Sequence, residues 1–168
     1  MADSIIIDIS VDETLAEDVP DELLESVASL ARCAWSWINK SEETAEISLL
    51  LTGDAHMREL NKIYRDQDRP TNVLSFVSEE VEAPKADNAP ILLGDIVLAY
   101  GIIGEEAKRH GKTFADHICH MAVHGVLHLA GYDHETGAEA EKMRVLETEI
   151  LAAAGIGDPY QNWIDGAA

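Results

Sequence analysis

The chain has 168 residues, of which 46% are apolar and only 5% aromatic, enough for a hydrophobic core within one domain expected to span residues 1–168. A formal net charge of −20 argues against broad, nonspecific attraction to a phosphate backbone, although it leaves room for a local basic groove. No apolar run approaches the roughly 20 residues of a membrane helix, no basic stretch precedes the apolar N-terminal segment, and Cys33 and Cys119 stand far apart; the expectation is a reduced, cytoplasmic protein with no membrane partner.

Ile5, Ile7, Ile9 and Val11 alternate with Ile6, Asp8 and Ser10, a period of two that predicts an opening strand. Pro20 and Asp21 start a helical stretch in which Leu23, Leu24, Val27, Leu30, Ala31, Ala34, Trp35 and Ile38 keep the helical period to about Asn39. Residues 45–52 predict a second strand ended by Gly53 and Asp54, followed by a helix from about Ala55 to Tyr64. Pro70 closes the next connection, and Val73 to Val77 predicts a third strand. Residues 79–90 hold two prolines, four acids and no apolar periodicity, the pattern of a mobile loop. A fourth strand is expected over 92–99 and a helix from about Ile102 to His110, ending at Gly111. A longer helix should run from about Phe114 to Ala130 and stop at Gly131, and a last one from about Gly137 to Ala153, stopping at Gly155. These elements predict an α+β fold: one mixed β-sheet of about four strands covered by about five helices, with a metal site at the end of the long helix.

That site is read from His120-Met-Ala-Val-His124-Gly-Val-Leu-His128-Leu-Ala-Gly131-Tyr-Asp-His134. His124 and His128 are four apart, so on a helix their imidazoles project one turn apart on one side and can reach a single ion. Gly131 accepts the positive φ of a turn that can return His134 to the same ion. Three histidines leave a fourth position for water, the plan of a catalytic zinc site, with one Zn2+ per chain the favoured ion, although nickel, copper or iron suit the same ligands. The spacing matches the metzincin peptidases in ligands and glycine, but those carry a glutamate as general base where this chain has Gly125. The metal scaffold is therefore expected to serve other chemistry. His117 and His120 lie on roughly the same face of the helix; His120 is read as a core histidine or as a cleft residue.

The segment from His124 to His134 resembles the signature of the YbeY family of rRNA-maturation endoribonucleases. Asn61-Lys-Ile-Tyr-Arg65 with Pro70-Thr-Asn-Val-Leu-Ser-Phe76 resembles a second block of that family, and Leu93-Gly-Asp-Ile-Val97 a third. The tail from Glu139 through Met143, Glu147, Ile150 and Leu151 to Gly155 and Asp158-Pro-Tyr160 is similar too, so the likeness covers about Glu46 to Tyr160. Asn72 departs from it, since the family commonly has aspartate there. The resemblance implies a zinc site made by the three histidines and cleavage of single-stranded RNA. It further implies a role in 16S rRNA 3′-end maturation and ribosome quality control, with rRNA and the small ribosomal subunit as partners. It also implies an arginine acting near the metal, which maps to Arg65.

Arg58, Lys62, Arg65 and Arg69 are spaced by four, three and four, so a continued helix would align them into a positive path for a phosphate backbone. Lys108, Arg109 and Lys112 form a second cluster, although Glu59, Asp66, Asp68, Glu105 and Glu106 interleave. In the expected mechanism the metal makes its water more acidic and polarises a phosphoryl oxygen, while Arg65 holds a phosphate oxygen in the transition state. The proton acceptor stays open between metal-bound hydroxide and the RNA 2′-hydroxyl. Asp133 is read as an orienting carboxylate or a helix cap, and Asp95 as a turn or cleft-wall residue. Two other readings compete: a metal-dependent hydrolase of another substrate class, and a non-enzymatic ribosome-assembly factor with a structural metal.

Overall fold

A computed structural model describes residues 4–39, 42–79 and 89–161. The elements follow in the order β1 (Ile5–Val11), α1 (Asp21–Ile38), β2 (Ala45–Thr52), α2 (Asp54–Arg65), β3 (Val73–Val77), β4 (Ile91–Ala99), α3 (Tyr100–Arg109), α4 (Phe114–Leu129) and α5 (Gly137–Ala153). A short 3-10 turn, Glu13–Leu15, was not anticipated; Asp12 caps it by accepting from the Thr14 amide. The loop expected over 79–90 falls, apart from its ends, outside the described residues. No helix among the described residues is long and apolar enough to cross a membrane.

The four strands form one mixed sheet in the order β1-β2-β4-β3, with β1, β2 and β4 parallel and β3 antiparallel to β4. The architecture is therefore the expected α+β one, with a mixed sheet and five helices. Alternation along the strands divides the core. Ile47, Leu49 and Leu51 of β2 and Ile96 and Leu98 of β4 point to one face, where they meet α1, α4 and α5. Val97 and Ala99 point to the other, where they meet Met57 of α2 and Leu74 of β3. Helix α4 is enclosed: Ile118, Ala122, Val123, Val126 and Leu127 are all fully buried. A helix that is apolar nearly all round belongs in a core.

The boundaries of α4 have local causes. The Thr113 hydroxyl accepts from the Asp116 amide at 3.1 Å and caps the start. At the end Gly131 takes φ +101°. The Tyr132 amide then reaches the Leu127 carbonyl, and the Gly131 amide the His128 carbonyl, each at 3.0 Å. This pair of bonds is the Schellman closure of a helix, and it needs a residue that tolerates positive φ. Helix α3, by contrast, begins at Tyr100, two residues earlier than its sequence suggests. Asp54, from the β2–α2 junction, accepts from the Ile102 amide at 3.0 Å and supplies the missing cap.

Gly125 explains how closely α4 lies on the sheet. A Cβ there would stand 2.9, 3.0 and 3.2 Å from Cγ2, Cδ1 and Cγ1 of Ile96, which is itself wholly buried. Gly125→Ala should gain about 1 kcal/mol of helix propensity and lose about 1–3 kcal/mol to overpacking. The net expectation is a lower denaturation midpoint. The loss should shrink in an Ile96→Ala background, because all three crowded atoms belong to that side chain; a double-mutant cycle in urea measures the difference.

Candidate metal centre

His124 and His128 sit one turn apart near the end of α4, with ring centroids 4.6 Å apart. The turn at Gly131 brings His134 back to them, its ring 5.0 Å from that of His128 and 5.8 Å from that of His124. One nitrogen from each imidazole lies within 4.8 Å of the others, so the three side chains proposed as ligands do converge. Three imidazole nitrogens so placed would suit a zinc ion, which takes histidine nitrogens as ligands. Burial, and then the neighbouring His124 and His134, push His128 down to about 4, so it is neutral at pH 7 and has a lone pair to offer. Among the described residues Asp133 makes no hydrogen bond to an imidazole: its Oδ1 accepts from the His134 amide at 2.7 Å and shapes the turn that delivers His134.

Behind the triad lies a buried network of His120, Glu147 and Tyr160. His124 Nδ1 is 2.6 Å from Oε1 of Glu147 on α5, which leaves Nε2 as the free ligand nitrogen. Oε2 of Glu147 meets His120 Nε2 at 2.9 Å and accepts from the Tyr160 hydroxyl. Burial acts to raise the Glu147 carboxyl, but the hydrogen bonds to His120 and His124 outweigh it and hold the group below the usual carboxylate range. His120 is thus a packed core histidine. The sequence signal for Glu147 was a carboxylate within the stripe Met143, Glu147, Ile150 and Leu151, all buried on one side of α5; a carboxylate in such a stripe requires a partner.

The triad opens into a cleft of about 560 Å3 lined also by Arg65, Asn72, Ser75 and Tyr132. Arg65 is the last residue of α2, and Asp66 ends the helix in the left-handed region at φ 55°. Its Nη2 donates to the Ser75 carbonyl at 3.0 Å, and its guanidinium lies 5.5 Å from the Phe76 ring centroid. Tyr64 packs on the same ring with its edge at 5.0 Å between centroids. Neither Asp66 nor Asp68 is its partner, since Asp68 pairs with Arg58 at 2.8 Å. The helical stripe of four cations does not form. The helix stops at Arg65, Arg58 is tied to Asp68, and the Arg69 carbonyl is held by the Asn61 amide at 2.8 Å. Of the four, only Arg65 lines the cleft.

Two further positions are accounted for. Asp95 is exposed on β4, opposite Phe76 in the register, and is not among the residues that line this cleft. Asn72 donates to the two carboxylate oxygens of Glu106 at 3.0 and 3.2 Å, and Glu106 also meets His117 Nε2 at 3.1 Å. An amide can make that donation and an ionised aspartate cannot.

A mixed sheet under a buried helix that bears two histidines, with a glycine turn returning a third, defines a protein built around an open histidine-triad cleft. The family model described as Endoribonuclease YbeY matches residues 9–155. A relative from Paramagnetospirillum magneticum, named Endoribonuclease YbeY, is 48% identical over 132 residues, 78% of this chain and 80% of that one. Another of the same name from Chelativorans sp. is 46% identical over 145 residues, 86% and 85% of the two chains. The solution structure of TM1509 from Thermotoga maritima is similar, with a TM-score of 0.51, 26% identity, and coverage of 97% of this chain and 100% of that chain. The chain belongs to the YbeY endoribonuclease family.

An ion held by the triad would tie α4 to the chain beyond Gly131 and stabilise the folded state by mass action. Zinc added to metal-free protein should therefore raise the melting temperature, increasingly with free zinc. His128→Ala should lose most of that increment. A melting temperature unchanged by zinc, in protein verified to have bound it, would count against this structural contribution.

Proposed function

We propose that this protein is a zinc-dependent endoribonuclease that cleaves single-stranded RNA in 16S rRNA 3′-end maturation and ribosome quality control, in the cytoplasm and on the small ribosomal subunit. His124, His128 and His134 would hold the zinc, and Arg65 would be the catalytic arginine. The observation that carries this reading is that Arg65 and the three imidazoles line one cleft. Family membership supports RNA as the substrate class.

When bound, a divalent ion supplies Lewis-acid polarisation of a phosphoryl oxygen and a more acidic water. The chain's own residues do the rest. Arg65 donates to the carbonyls of Ser75 and Tyr64 and is backed by Phe76, so its guanidinium is held in place beside the cleft with little left to order. A guanidinium there holds a non-bridging phosphate oxygen and stabilises charge as it builds. Asp133 is the only carboxylate lining the cleft among the described residues, and one of its oxygens is occupied by the His134 amide. Gly125 is pressed against Ile96, so a peptidase-type base does not fit at that position. Both features favour phosphodiester over peptide chemistry.

An assembly factor with a structural metal would close the fourth ligand position with a side chain. Among the described residues no fourth histidine, cysteine or carboxylate joins the cluster. An open position favours the enzymatic reading.

Arginine's planar fork matches phosphate oxygens in a way that lysine does not reproduce. Arg65→Glu should nearly abolish cleavage of single-stranded RNA while zinc content and melting curve stay at wild-type values, and Arg65→Lys should be intermediate. Cleavage by metal-free, zinc-reconstituted and His128→Ala protein under nuclease-controlled conditions tests the metal requirement. Wild-type rates from a folded, zinc-loaded Arg65→Glu protein would remove this residue from the mechanism.

A further inference from the structure

Glu147 is 0% exposed. A buried carboxylate is tolerated when its oxygens are well supplied with donors, and here they are: His124 on Oε1, His120 and Tyr160 on Oε2. Stability alone does not account for such an arrangement. Apolar side chains of similar volume often serve a core as well or better than a buried charged network. What the network adds is its end point. It terminates on one member of the histidine triad, at the nitrogen not available to a ligand.

The protons are assigned by the surroundings. Burial pushes His120 down, so that imidazole is neutral and donates its Nε2 proton to Glu147. Its Nδ1 has no hydrogen-bond partner among the described residues, as the bare nitrogen of this tautomer permits. Burial, and then the Glu147 charge, push the Tyr160 phenol up, so its hydroxyl remains a donor. A carboxylate oxygen 2.6 Å from His124 Nδ1 holds the ring and favours its Nδ1–H tautomer.

Tyr160 does not arrive by chance. It lies beyond α5, in a turn held from several sides. Lys112 donates to the carbonyls of Asp158 and Gln161 at 3.1 and 2.8 Å. The Tyr160 amide donates to Asp158 Oδ1 at 2.9 Å, and the Arg144 guanidinium lies 5.1 Å from the Tyr160 ring centroid. The ring meets His120 edge-on at 5.4 Å.

We infer that Glu147 is the positioning residue of His124 and that Tyr160 is its clamp, so the turn at residues 158–161 is an arm of the metal centre. This inference rests on the reading of the triad as a metal site. It has a reciprocal consequence: if docking of the turn strengthens metal binding, metal binding must strengthen docking of the turn by the same factor.

The test uses the full chain as wild type, Glu147→Gln and Tyr160→Phe. Zinc affinity is measured by competition with a chromophoric chelator, the ligand field by the absorption bands of the cobalt(II) form, and docking by amide hydrogen exchange at Asp158, Tyr160 and Gln161. Glu147→Gln should weaken zinc binding 10–100-fold and shift the cobalt bands. Tyr160→Phe should weaken binding by a smaller factor, and zinc should slow exchange in the turn of the wild type but not of this variant. A merely structural role would lower the melting temperature equally with and without zinc and leave affinity and cobalt bands unchanged; that result overturns the inference. Should Glu147→Gln fail to fold, Tyr160→Phe decides alone, and wild-type affinity with wild-type exchange overturns it. A wild-type chain that binds no zinc would overturn the metal reading itself, and this inference with it.

Discussion

The close seating of α4 on β4 is the contact on which the site depends. It rests on Gly125 meeting Ile96 with no room for a Cβ. Because α4 carries His124 and His128 and ends in the turn to His134, its depth against the sheet sets where all three imidazoles lie. The same seating places the Gly125 carbonyl 3.5 Å from the Ser75 hydroxyl of β3, next to the carbonyl that anchors Arg65. One helix–sheet contact thus fixes both walls of the cleft. It also removes the position at which a peptidase of similar spacing holds its base.

The centre is built in layers of decreasing exposure. Arg65 is exposed at the cleft mouth, His128 and His124 are half-buried, and Glu147 and His120 are closed from solvent. At depth both carboxylate oxygens of Glu147 are supplied with donors, so His124 rests on a held base while the arginine stands at the cleft mouth. An acidic chain with a net charge of −20 has little long-range pull on RNA. Inside the cleft Arg65 places a cation against a wall of backbone and aromatic surface.

The readable parts of the sequence were the local ones. Strand periodicity in Ile5 to Val11 and glycine stops at Gly111, Gly131 and Gly155 act over a few residues, and the corresponding elements end where those residues stand. The triad was readable for the same reason, as its spacing is that of one helical turn plus one glycine turn. Contacts between distant segments were not. Glu147 reaches His124 across 23 positions, a relation that exists only once α5 packs on α4. Asp54 caps α3 from 48 positions away and moved the start of that helix. The arginine stripe failed because Asp66 adopts a left-handed conformation and Asp68 captures Arg58, neither of which helical spacing can register.

The bond from Asn72 to Glu106 bears on descent. Asn72 is part of the cleft wall, while Glu106 also holds His117, seven positions before His124 on the same helix. Aspartate at position 72 would face Glu106 with a second negative charge in a partly buried place, where like charges repel strongly. Replacing Asn72 by aspartate while Glu106 remains is therefore a costly step, and it becomes cheaper once position 106 no longer carries a charge. Among relatives, the residue at 72 should track the residue at 106 more closely than it tracks its own neighbours in the chain.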